Sequence, residues 1–260
     1  MDYGIKLFRH VVDQVFGNLG AAARISVVPA LIIAAVSFWA FGSLSTAGPT
    51  IMSLEEADVL AGLDADTMAA IMAAALRGLV VALVGAVLFG WLAVAWHRYV
   101  LTEEMGGLVP MFSPARVFGY LGWSILIGLV LFLVMIPILL VFGGLATISF
   151  GFALLLGVGV NILLSWMFVR CALVLPARAI DQPLNIQQSW QATKDVSGEI
   201  LVPIVGFAVI FALIVQSMDL FPANLVTTLL SAAVYWIQML VNLALLTTLY
   251  GNRIEGRALN

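Results

Sequence analysis

The chain has 260 residues, of which 63% are hydrophobic and 10% charged, and its formal charge is -3. An ordinary soluble domain is about half apolar and about a quarter charged, so this composition excludes a water-soluble globule, and the lack of a basic face excludes nucleic-acid binding. A single cysteine, Cys171, excludes an internal disulfide and any thiolate-rich metal site.

The first predicted element is a helix before the first apolar run. On a helical wheel Phe8, Val11, Val12, Val15, Phe16 and Leu19 share one face, while Lys6, Arg9, His10, Asp13 and Gln14 occupy the other. This pattern is too long for the charged region of a signal peptide and predicts an amphipathic helix on the inner membrane surface. Six continuous apolar runs follow, at Ala21 to Gly42, Gly78 to Trp96, Tyr120 to Phe142, Leu145 to Val169, Ile200 to Met218 and Leu225 to Leu249. Each is long enough to cross a bilayer as a helix. Continuous runs also exclude a β-barrel, whose strands alternate. Gly143-Gly144 and Asp219 to Asn224 are the predicted turns of two tight hairpins.

The basic residues orient the chain. Lys6, Arg9, Arg24, Arg98, Arg116, Arg170, Arg178, Lys194, Arg253 and Arg257 all fall on one side, and only Arg77 opens a span at the other. The positive-inside rule then puts both termini in the cytoplasm. Arg98, Arg170 and Arg253 are the interfacial arginines at the ends of the even spans. The outer segment Ser43 to Thr67 carries Glu55, Glu56, Asp58, Asp64 and Asp66. Ser53 and Glu56 there read as a capping box; Asp64 and Asp66 lack the rest of a calcium loop and read as a solvated acidic face.

Val15-Phe16-Gly17 recurs as Val117-Phe118-Gly119 and, more weakly, as Val196-Ser197-Gly198, each before an odd-numbered span. Further surface helices are predicted from Ser113-Pro114 and from Asn185, where Gln188 completes a capping box. The expected fold is therefore all-α: one membrane domain over residues 1–260, a bundle of six transmembrane helices with three cytoplasmic-side interfacial helices. Its pseudo-threefold repeat of surface helix, span, span has units of approximately 1–104, 105–181 and 182–260.

Two ridges of small residues predict close helix packing. Gly78, Ala82, Ala86 and Gly90 form the first, Ala153 and Gly157 belong to the second. Trp39, Trp96, Trp123 and Trp190 read as interfacial anchors. No Asp, Glu, Lys or Arg sits in the middle of a span, which disfavours ion-coupled transport. The deepest polar groups are Asn161 with Ser165 and Gln238 with Asn242, each pair spaced i, i+4 on one helix face. Interhelical hydrogen bonding is the favoured reading of these four, and a small polar pocket the alternative. Nothing resembles the HExxH or GxSxG signatures of hydrolases. His10 and His97, without a carboxylate companion, make a poor metal or haem site, so no catalytic residue, metal or cofactor is expected.

The stretch Arg170-Cys-Ala-Leu-Val-Leu-Pro176-Ala-Arg-Ala-Ile-Asp181, followed by Ser189-Trp190-Gln191-Ala192-Thr193-Lys194, resembles the membrane domain attached to some glycerophosphodiesterases. Trp96-His97-Arg98-Tyr99-Val100-Leu101 resembles a stretch of uncharacterised six-helix proteobacterial membrane proteins. The resemblance implies a bacterial inner-membrane location and no catalytic residues, since the hydrolase domain is absent from this chain. The functional expectation is a non-enzymatic membrane protein that binds lipid, a membrane partner or another copy of itself. The alternative is a passive channel or small-solute carrier.

Overall fold

The computed structural model describes residues 2–41, 65–104, 109–146, 150–222 and 224–259. The described residues form nine α-helices and no strand: α1 (Asp2–Phe16), α2 (Leu19–Phe41), α3 (Ala65–Thr102), α4 (Pro114–Ala146), α5 (Phe150–Cys171), α6 (Val174–Ala179), α7 (Ile186–Ala192), α8 (Leu201–Met218) and α9 (Leu225–Arg253). Six helical stretches are long and apolar enough to cross a membrane: Leu19–Ala40, Thr67–Thr102, Pro114–Leu139, Leu154–Ala179, Leu201–Met218 and Leu225–Arg253. A chain built this way buries its backbone polar groups inside its own helices, as hydrocarbon demands.

Helices α3, α4, α5, α8 and α9 pack in a ring, each on the next, and α9 closes it against α3. Outside the ring α2 lies along α3, and α1 crosses α8 and α9. The short α6 packs on α3, α4 and α9 and closes the ring at the end that carries the termini. The core sits at this end. Trp96, Tyr120, Leu173, Ile200, Leu249 and Tyr250 are all at most 2% exposed. Toward the other end large apolar side chains such as Phe38, Leu155 and Leu225 point outward.

One side of α1, Gly4, Leu7, Val11 and Val15, is buried. Each fully buried leucine or valine there contributes about 2 kcal/mol. A Cβ on Gly4 would sit 2.6 Å from the Glu199 carbonyl oxygen and 2.8 Å from Val202, so only glycine allows this approach. Phe8 stacks on Phe207 with ring centroids 4.3 Å apart, while Phe16 is exposed. The face read as membrane-directed is therefore largely spent on the protein itself. The helix is tied at its other edge by Tyr3, whose hydroxyl donates to Asn252 at 2.8 Å, and burial pushes that phenol up to about 12.

The copies of the repeated motif adopt different structures. Gly17 and Gly198 lie in turns before α2 and α8. Gly119 instead lies inside α4, which runs unbroken from Pro114, so no separate surface helix forms there. Its lack of a side chain serves another purpose: the Arg178 guanidinium lies where a Cβ would be, and Arg178 Nη2 donates to the Ala115 carbonyl at 3.2 Å. The expected turn at Gly143-Gly144 also moves, because α4 continues through both glycines to Ala146. A helix start predicted from sequence does form at α7, where Asn185 and Gln188 exchange side chain to backbone bonds of 2.8 and 2.9 Å. Asn224 and Thr227 cap α9 in the same manner, both at 3.0 Å. Pro29 and Pro137 lie within α2 and α4. The capping pair Ser53 and Glu56, and Asp64, lie outside the described residues.

Candidate ligand cavity and the arginine layer

The helices of the ring line a partly open cavity of about 800 Å³. Most of its wall is apolar, with Phe168 from α5, Phe207 and Phe211 from α8, Met239 and Leu246 from α9, and Leu175 of α6 at the closed end. Helix α5 contributes Asn161 and Ser165, and α9 contributes Gln238 and Asn242. All four residues singled out by their i, i+4 spacing thus line one cavity. That spacing is about one helical turn, so each pair forms a short polar strip along its helix.

The four do not bond to one another, nor to any other group among the described residues. Intramolecular hydrogen bonds were the favoured reading for them, and none is present. The flanking residues Val241 and Leu243 are buried, yet Asn242 between them is exposed, and its exposed surface faces the cavity. Each amide offers one acceptor oxygen and two donor hydrogens. Leaving such groups dry and unpaired costs free energy, which favours an occupant able to hydrogen-bond. Sequence periodicity did not single out Tyr120, Ser124 and Tyr235, which also line the wall. Tyr235 lies three residues before Gln238, on the same helix face, and could have been found by extending the strip. Ser124 is already occupied, donating to the Tyr120 carbonyl at 2.9 Å. Among the described residues no acidic, basic or histidine side chain lines the cavity.

Of the small residues, Gly90 is buried, with a Cβ position 3.2 Å from Leu121. Gly78 is half-buried; Ala82 and Ala86 are exposed in the single chain, and it is Gly85 that meets Ile33 on α2, at 3.5 Å. Gly157 is exposed and meets no atom within 4 Å. The side chain of Ala153 lies outside the described residues.

Below the cavity, arginines tie the short elements to the ring. Arg170 is 4% exposed and lies between two tryptophans, 3.7 Å from the Trp190 ring centroid and 4.8 Å from that of Trp166. It donates from Nε to Thr193 Oγ1 at 3.1 Å and from Nη2 to the Trp190 carbonyl at 3.0 Å. Ser189 Oγ donates to the Arg170 carbonyl at 2.6 Å and accepts from the Leu173 amide at 3.2 Å, which holds the break between α5 and α6. Arg253 reaches the Ala192 carbonyl at 2.9 Å and pairs with Asp195 at 2.6 Å. Arg98 donates to the Ala179 carbonyl at 3.2 Å and pairs with Glu104. Arg116 pairs with Asp181 at 2.8 Å; this hydrogen bond and charge hold the Asp181 carboxyl below the usual range against partial burial. Arginines at the last carbonyls of α6 and α7 complement the negative helix ends.

His97 is fully buried, with Nδ1 2.8 Å from Thr247 Oγ1. Thr247 directs its one hydrogen to the Leu243 carbonyl at 2.7 Å, so His97 Nδ1 is the donor and Nε2 is left as a buried, unpartnered acceptor. His10 lies on α1, where it lines a surface pocket with Tyr99 and Val100. Among the described residues no three His, Cys, Asp or Glu side chains gather as a metal site. Trp96 is fully buried in the core, not at an interface, and its Nε1 has no partner. Comparison with protein-family models, curated proteins and solved structures gives no match.

Proposed function

We propose that this protein is a non-enzymatic integral protein of the bacterial inner membrane, with both termini cytoplasmic, that holds a membrane lipid in the cavity inside its ring of helices. One observation carries the reading: four unbonded, uncharged polar side chains, Asn161, Ser165, Gln238 and Asn242, face a mostly apolar cavity of about 800 Å³. Pockets for small molecules pair apolar walls with a few placed polar groups. A neutral amphiphile, such as a diacylglycerol or another lipid with ester and hydroxyl groups, satisfies both parts of this wall. Its carbonyls and hydroxyls pair with the amides, and its acyl chains lie against Phe168, Phe207 and Phe211. A permanently charged head group would find no countercharge there. The reading includes the resemblance to the membrane domains of glycerophosphodiesterases, and α1 and α7 as helices at the cytoplasmic interface.

The test is the lipid content of the protein purified in mild detergent, measured by native mass spectrometry and extraction. Wild type is expected to retain about one neutral lipid per chain, and the Gln238→Leu, Asn242→Leu double variant to lose it at unchanged thermal stability. Wild type free of lipid, together with solute flux through the protein in liposomes that the same double variant abolishes, overturns this reading in favour of a passive carrier.

A further inference from the structure

A second, separate pocket lies at the end of the bundle that carries the termini, between α2, α3 and the start of α4. Arg24 from α2, Arg98 from α3 and Arg116 from α4 all line it, together with Tyr99 and Ser113. It encloses about 40 Å³. A single water needs about 10–15 Å³ of such space, so the enclosed part takes a group of a few heavy atoms, not a whole lipid. Glu104 also lines it, on Arg98; the rest of the wall is apolar, including Ile25, Val94 and Met111, and Met111 is 68% exposed.

The charges in this pocket do not balance. Arg98 pairs with Glu104, and Arg116 with Asp181 at 2.8 Å. Arg24 has no hydrogen bond or ion pair among the described residues. Arg98 Nε is buried with no partner. The Ser113 hydroxyl, directly before the first turn of α4, makes no hydrogen bond among the described residues either. The two ion pairs fix the arginines in place, and one positive charge is left with several unused donors.

We propose that this pocket binds a phosphodiester group. One negative charge matches the one uncompensated arginine, and tetrahedral oxygens suit guanidinium and hydroxyl donors arriving from three helices. Basic pockets between membrane helices take phospholipid head groups, and the apolar wall around Ile25 and Met111 suits the glycerol and first methylenes of such a lipid. A free glycerophosphodiester shares the phosphate chemistry without the chains. The site is independent of the neutral-lipid cavity, since no residue lines both.

The test titrates the full chain in detergent with phosphatidylglycerol, with diacylglycerol and with glycerophosphoglycerol, read by native mass spectrometry. Phosphatidylglycerol is expected to bind, and Arg24→Gln to weaken it about fivefold, the effect of one arginine at a lipid surface, while Arg24→Lys retains most of the affinity. Binding should also fall with added salt. Gln238→Leu with Asn242→Leu should leave this affinity unchanged, which separates the two sites. If glycerophosphoglycerol binds as tightly as the lipid, the phosphodiester site stands and its source is the soluble anion; if it binds far more weakly, the source is the lipid. Equal affinity of Arg24→Gln and wild type for phosphatidylglycerol, at equal thermal stability, overturns the proposal.

Discussion

Arg170 allows a prediction in which the sign, as well as the size, follows from the structure. Its guanidinium is buried without a carboxylate among its partners; two neutral oxygens and two indole rings surround it. Hydrogen bonds from a charged group contribute about 1.5–3 kcal/mol each, and a desolvated cation over an indole about 2 kcal/mol. Burying the charge opposes them by several kcal/mol. Lysine keeps the charge and its desolvation cost but lacks the planar fork, so it cannot stack on Trp190 and reach Thr193 and the Trp190 carbonyl together. Arg170→Lys should therefore destabilise by about 2–3 kcal/mol, chiefly from the lost stack, since an ammonium that reaches the two oxygens cannot keep it. Methionine loses all the polar contacts but also removes the buried charge, an exchange that is often close to neutral. The Lys variant should be the less stable of the two. At about 2–4 °C per kcal/mol for a chain of this size, Arg170→Lys should melt about 4–12 °C below wild type in detergent, followed by tryptophan fluorescence. A Lys variant as stable as wild type, or more stable than the Met variant, would refute the assignment of Arg170 as a stacked, unpaired cation.

Gly4→Ala should cost about 1–3 kcal/mol, because the new methyl meets a backbone carbonyl that cannot turn away, whereas Gly157→Ala, with open space around it, should leave the melting temperature unchanged or slightly raised. In contrast to what the small-residue ridges suggest, Ala86→Leu should also be tolerated in the single chain, as thermal stability in detergent will show. Asp181 is held below its ordinary range chiefly by its hydrogen bond to Arg116; its contribution is complete above about pH 4 and is lost as the pH falls through the lowered value. Melting temperatures of wild type should thus fall more steeply than those of Asp181→Asn in that acid window, and parallel curves would remove the pair from the stability account.

The six apolar helices were legible from run length alone, and Asn185 and Asn224 mark helix starts that local side-chain chemistry decides. What sequence missed depends on partners distant in the chain. The Val-x-Gly copies at Gly17 and Gly119 read alike, yet one lies in a turn and the other inside a helix, where Arg178 occupies the space over Gly119. Periodicity put Ala82 and Ala86 on a packing face, but the neighbour across from α3 meets Gly85 instead, one residue around the helix. Arg170, Ser189, Trp190 and Thr193, conspicuous in the sequence, have a structural part here and form one knot between α5 and α7. For the cavity, the i, i+4 pairs on α5 and α9 were visible as polar strips, since helical spacing is local. That the two strips line the same space, unbonded, depends on the ring closing through α8, which no local pattern encodes.

The most direct measurement of lipid binding inside the ring is photo-crosslinking with a diacylglycerol that carries a diazirine near its ester groups, mapped by peptide mass spectrometry on the protein in native membranes. Adducts are expected on cavity residues of α5, α8 and α9, such as Phe168, Phe207 and Met239, and should disappear in the Gln238→Leu, Asn242→Leu variant. Adducts confined to outward residues such as Leu155, Leu220 and Leu225, unchanged in that variant, would contradict it.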